Sequence, residues 1–160
     1  MSASSQEGTK AMLAEFVIED EAWGTLEDGV ELCQSVLAHA AQLIKDYREG
    51  MAAVMLTNDG VMQDLNARFR DKDKPTNVLS FPAPEGEDYP GDIALGFETC
   101  AREAEEKGIS LRNHVIHLVV HGFLHLNGFD HQDEDEAQDM ESLETRILAH
   151  FEIDDPYQSA

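Results

Sequence analysis

The apolar positions of this chain change period several times, and each change marks a new element. A-E-F-V-I-E-D, residues 14–20, alternates apolar and polar side chains as a half-buried strand does. From about Leu26 or Glu27 to Asp46, the residues Val30, Val36, Leu37, Ala40, Ile44 and Tyr47 fall near helical spacing. A-A-V-M-L-T, 52–57, is the short apolar run of a buried strand, and N-D-G leads from it into a helix carrying Val61, Met62, Leu65 and Phe69. Pro75 interrupts the chain, T-N-V-L-S-F (76–81) is rich in β-formers, and the proline-rich stretch 82–91 reads as a loop. D-I-A-L-G-F (92–97) predicts another strand, and E-T-C-A-R-E-A-E-E-K a surface helix stopped by Gly108. Ser110 is placed to cap a long apolar helix that runs to about Leu126, where Asn127-Gly128 ends it. Asp133, with Glu136 three residues on, resembles the cap of a last amphipathic helix to about His150. The pattern predicts an α+β fold, a small mixed β-sheet covered by helices, with one central helix carrying histidines into the interior. At 160 residues and without an internal repeat, the chain reads as a single domain over 1–160, with residues 1–13 a flexible tail.

Composition narrows the class of protein. The N-terminus lacks a basic region followed by an apolar core, and no run approaches the roughly 18 apolar residues of a membrane span, so a cytoplasmic protein with no membrane partner is expected. Cys33 and Cys100 stand far apart without a CxxC or Cys/His spacing, which argues against a disulfide framework and a cysteine-based zinc site. The formal net charge of -22 argues, taken alone, against nucleic acid, whose phosphates are bound by Lys and Arg. Four of the eleven basic residues, however, fall in R-F-R-D-K-D-K: Arg68, Arg70, Lys72 and Lys74. Charges more than about 8 Å away are largely screened at physiological salt, so a local cationic site survives in an acidic protein. The plainer reading of the same cluster is a solvated helix end.

The strongest chemical signal is H-G-F-L-H-L-N-G-F-D-H, residues 121–131. His121 and His125 lie four apart, which offsets them by only about 40° around a helix axis, so both imidazoles reach one ion. A third ligand has to return from beyond the helix end; Asn127-Gly128 supplies the bend and His131 the imidazole. Three neutral imidazoles with a fourth position open to water make a catalytic-type Zn²⁺ site. A lone histidine on an apolar helix is most often a hydrogen-bonded core residue, but three meeting the helix-and-turn geometry together favour metal binding. The spacing matches the metzincin motif H-E-x-x-H-x-x-G-x-x-H with one departure: Gly122 stands where the protease carries its general-base glutamate, which disfavours peptide hydrolysis. His117, four residues before His121, reads as a core residue or as a partner behind a ligand. Asp130 either orients a ligand imidazole or serves the turn. His39 and His150 carry no signal.

The same eleven residues resemble the signature of the YbeY family of bacterial metal-dependent endoribonucleases, H-G-x-L-H-L-x-G-Y-D-H, with Phe129 in place of the more common tyrosine. The likeness continues through L-N-A-R-F-R-D-K-D-K-P-T-N-V-L-S-F-P (65–82), G-D-I (91–93) and the acidic tail ending D-P-Y, in family order. It covers most of residues 50–157, while the first fifty share only the strand-and-helix pattern. This resemblance implies a zinc-dependent, single-strand-specific endoribonuclease that matures the 3′ end of 16S ribosomal RNA and serves ribosome quality control. It implies ribosomal RNA as substrate and the ribosome or ribosome-associated proteins as partners. By matching position it makes His121, His125 and His131 the ligands of one Zn²⁺ and Arg70 the basic residue associated with activity.

RNA cleavage needs a nucleophile, a place for charge developing on phosphorus, and a protonated leaving group. An arginine at position 70 suits the second need, since its fork holds a phosphate bidentately as lysine cannot. Lys72 and Lys74 would follow the strand. No general base is evident: Asp92, Ser80 and Thr76 are each as readily structural, and both water and the ribose 2′-hydroxyl remain available as nucleophile. Two other classes compete, a non-catalytic assembly factor with a structural zinc, which the acidic charge suits, and a metallohydrolase of another substrate class.

Overall fold

The computed structural model describes residues 12–26, 28–45, 47–130 and 132–157. In chain order these form β1 (Ala14–Ile18), a 3₁₀ turn (Glu21–Leu26), α1 (Gly29–Leu43), β2 (Ala52–Thr57), α2 (Asp59–Arg70), β3 (Val78–Pro82), β4 (Gly91–Gly96), α3 (Phe97–Lys107), α4 (Leu111–Leu126) and α5 (Glu134–His150). The strands make one sheet in the order β1-β2-β4-β3. β1, β2 and β4 run parallel, and β3 turns back antiparallel on β4, with Phe81 opposite Asp92. The predicted α+β arrangement, a small mixed sheet under helices, is what the chain adopts.

Local chemistry explains the element ends. Ser110 Oγ accepts from the Asn113 N–H at 3.0 Å, Asp133 Oδ1 from the Glu136 N–H at 2.8 Å, and Asn58 Oδ1 from the Val61 N–H at 3.0 Å. Each satisfies a donor that the first helical turn leaves without a partner. Gly128, just beyond the end of α4, has φ +94, a conformation open to glycine at little cost. The first helix begins later than its periodicity predicts. Asp20 Oδ1 accepts the Ala22 N–H at 2.9 Å, and the buried Trp23 donates from Nε1 to the Thr57 carbonyl at 2.7 Å. These bonds hold 21–26 as a separate 3₁₀ turn. Of the predicted tail, residues 1–11 lie outside the described residues; Leu13 is buried and its carbonyl accepts from the Ala52 N–H at 3.0 Å.

The two faces of the sheet are covered unequally. On one face, α1 and α4 pack together, and α5 lies against both helices. There Val54, Leu56, Ile93 and Leu95 from the sheet join Val36, Leu37, Val119, Val120, Phe123 and Ile147 in the main core. α4 is buried nearly all round, which suits a helix enclosed by others. It approaches β4 closely at Gly122, where a Cβ would stand 3.1 Å from Ile93. The alternate strand positions face the other way, where α2 builds only a small cluster of Met62, Leu79 and Ala94. Among the described residues no helix is long and apolar enough to cross a membrane.

Candidate metal centre

The last turns of α4 bring His121 and His125 together as their spacing predicts, with Nε2 atoms 3.2 Å apart. What the spacing does not convey is how firmly each ring is held. His121 Nδ1 lies 2.6 Å from Glu144 Oε2, and His125 Nδ1 lies 2.9 Å from the Phe129 carbonyl. Both of these partners are acceptors, so each Nδ1 carries a hydrogen, and in the neutral rings each Nε2 turns a lone pair toward the other. Two lone pairs at this separation repel unless a cation lies against both. Two nitrogens bound at 2.0–2.1 Å to a tetrahedral ion stand about 3.3 Å apart, so the donor pair fits such an ion in distance and in tautomer. A ring whose second nitrogen is fixed by a carboxylate or a backbone carbonyl is also the usual form of a metal-binding histidine.

Behind His121 lies a residue that periodicity did not single out as functional. Glu144 of α5 is completely buried, and its carboxylate is shared by three donors. His121 takes one oxygen; His117 Nε2, at 3.1 Å, and the Tyr157 hydroxyl take the other. A buried carboxylate is costly unless it is paired in this way. Burial alone would raise its pKa, but the bonds from His117, His121 and Tyr157 more than offset that and hold the group down at about 2. Burial also pushes the Tyr157 phenol up, and the neighbouring carboxylate adds to the effect, so the hydroxyl stays a donor. His117 therefore stands behind His121 on the same carboxylate, and the C-terminal segment is tied to the pair through Tyr157. His114 pairs instead with Glu103, Nε2 to Oε1 at 2.9 Å, and so belongs to the contact between α3 and α4.

The remaining sequence candidates separate clearly. His131 lies outside the described residues, and among the described residues no three metal-binding side chains form a cluster. Gly122 faces Ile93 of the sheet, so a glutamate there would point into packed core and away from the imidazoles. Asp92 neighbours Ile93 on the same strand and therefore faces the opposite side of the sheet, where its Oδ2 accepts from the Tyr89 hydroxyl at 3.0 Å. It cannot serve as a base at the imidazoles. Arg70, at the end of α2, donates from Nη2 to the Ser80 carbonyl at 2.8 Å, on the edge strand against which α4 packs. Its guanidinium also lies 5.8 Å from the Phe81 ring centre, and no carboxylate pairs with it among the described residues. Arg68, in contrast, turns to Asp64 at 3.2 Å in an exposed pair.

Comparison with known proteins agrees with the signature. A family profile described as Endoribonuclease YbeY matches residues 18–152. A Bradyrhizobium diazoefficiens protein named Endoribonuclease YbeY is 47% identical over 155 residues, covering 91% of this chain and 85% of its own length. The protein of the same name from Agrobacterium fabrum is 44% identical over 160 residues, covering 92% and 95%. One from a Chelativorans species is 59% identical over 111 residues, covering 66% and 68%. A solution structure of a Thermotoga maritima protein shares the fold at a TM-score of 0.56 and 23% identity, over 91% of this chain and all of that one. With the profile spanning most of the sequence and relatives of this identity along nearly its whole length, the chain belongs to the YbeY family.

Proposed function

We propose that this protein is a metal-dependent endoribonuclease that cuts single-stranded RNA during maturation of small-subunit ribosomal RNA. The observation that carries the reading is the convergence of the His121 and His125 Nε2 atoms, each ring held from behind by its own acceptor. His121, His125 and His131 would hold one Zn²⁺. A zinc ion bound there supplies Lewis acidity to a phosphate oxygen or to water at neutral pH. Everything else is done by the chain's own groups. Glu144 fixes the His121 ring and its tautomer, and the Phe129 carbonyl does the same for His125. Arg70, anchored by one nitrogen on the Ser80 carbonyl, keeps other N–H groups for a phosphate oxygen and brings a positive charge to where negative charge grows on phosphorus. Lys72 and Lys74, both exposed, extend that charge along the strand.

The test is cleavage of a synthetic single-stranded RNA by the full chain, with metal content measured on the same preparation. Cleavage should stop with chelator and return with Zn²⁺. Arg70→Glu should abolish cleavage and leave metal content near that of the parent, while His125→Ala should lose both. A metal-stripped protein that still cuts RNA would refute the reading, and a fully active Arg70→Glu would refute the role given to that residue. The cytoplasm, the ribosome and its associated proteins belong to the same proposal as the setting in which such an enzyme meets its substrate.

A further inference from the structure

On the sheet face that α2 leaves partly bare there is a cavity of about 510 Å³, within the roughly 300–1,000 Å³ of small-ligand sites. Its walls are mostly apolar, formed by Val17, Met55, Leu65, Phe69 and Phe81, with Glu19 and Asp92 as its acidic members. Phe69 is 61% exposed, and its ring meets Phe81 at 5.4 Å and 65°. Arg70 sits on the other ring of this pair and reaches the carbonyl of Ser80 on β3. A single exposed phenylalanine needs no explanation. One that walls an apolar cavity beside a guanidinium with no carboxylate partner among the described residues is a different matter.

We propose that this cavity is a subsite for an unstacked nucleobase of the RNA strand, which lies against Phe69 while Arg70 holds the adjoining phosphate. The inference rests on the reading of the chain as a nuclease of single strands and says where part of that strand lies. Single-stranded nucleic acid is bound by cationic tracks that follow the backbone and by aromatic faces on which bases stack. Both occur together here: Phe69 falls inside the stretch that holds Arg68, Arg70, Lys72 and Lys74, in a chain whose formal charge is -22. Charge placement also sets the orientation. Glu19 and Asp92 repel a phosphate from the cavity but not an uncharged base, so the backbone stays on the arginine side. The β3 edge, bridged by Arg70 and packed on α4, lies between this cavity and the helix that carries the imidazoles.

The experiment measures binding of a fluorescent 2′-O-methyl single-stranded oligonucleotide, which resists cleavage, to the metal-loaded full chain. Phe69→Ala should weaken binding roughly tenfold, and Phe69→Trp should restore it. The loss caused by Phe69→Ala should vanish against an oligonucleotide whose bases have been removed, whereas that caused by Arg70→Ala should persist. Equal binding by Phe69→Ala and the parent, or the same Phe69→Ala deficit against the abasic strand, would overturn the subsite. So would an oligonucleotide that does not bind the parent, or a basic peptide that fills the cavity without competing with RNA. Because this readout needs no cleavage, a parent protein that binds as described and yet fails to cut RNA would refute the proposed activity and leave the subsite standing.

Discussion

The two faces of one four-stranded sheet are built to different ends. Under α1, α4 and α5 the side chains interdigitate into the main core, and the polar groups there, Glu144 above all, are held by several partners at once. Under α2 a small cluster of Met62, Leu79 and Ala94 sits beside an open apolar cavity, and Phe69 stands in solvent. The first face fixes two imidazoles in position; the second leaves room. A metal centre has to be ordered before its ion arrives, because misplaced ligands lose affinity, while a surface that accepts varied sequence gains from shape without rigid detail.

Substitutions on the two faces sharpen the contrast. Phe123 and Phe69 are the same residue type on opposite sides. Phe123→Ala, deep in the main core, should cost about 3–5 kcal/mol in denaturant unfolding. Phe69→Ala should cost about 1 kcal/mol or less, the worth of its edge-on contact with Phe81. Similar costs at the two positions would mean the faces are not organised as described. Between those two in size is Glu144→Gln, which keeps the shape of the buried side chain but not its charge. Metal affinity measured by chelator competition should fall roughly 10–100-fold, and no change would remove Glu144 from the positioning of His121. The smallest effect is expected at Arg68→Ala: its pair with Asp64 is exposed, and the thermal midpoint should hardly move. A large drop there would show that the cationic stretch stabilises the fold and does not only face a ligand.

How much of this was legible in the sequence depends on how local each signal is. His121 and His125 were readable because four residues on a helix is a fixed geometry. The caps at Ser110 and Asp133 were readable because a side-chain oxygen three residues from its donor acts within one turn. Glu144 was missed, although a trace of it was there. It shares the buried stripe of α5 with Met140, Ile147 and Leu148, and a charge on an apolar stripe needs a partner. The abundance of acidic residues around it, Glu134, Asp135, Glu136, Asp139 and Glu141, masked that anomaly. Phe69 misled in the opposite sense: its spacing places it with the apolar positions of α2, yet that helix covers only part of its sheet face. No periodicity reveals the width of a neighbouring surface. The delayed start of α1 likewise depends on Trp23 reaching Thr57, a contact between residues 34 apart in sequence.

The proposed centre gathers the imidazole nitrogens of His121, His125 and His131 around a single divalent ion. X-ray absorption at the zinc edge of the metal-loaded chain addresses it most directly. The spectrum should show three imidazole nitrogens at about 2.0–2.1 Å and one further light atom, and His125→Ala should show no bound zinc. A first shell containing sulfur from Cys33 or Cys100, or a spectrum unchanged by His125→Ala, would contradict it.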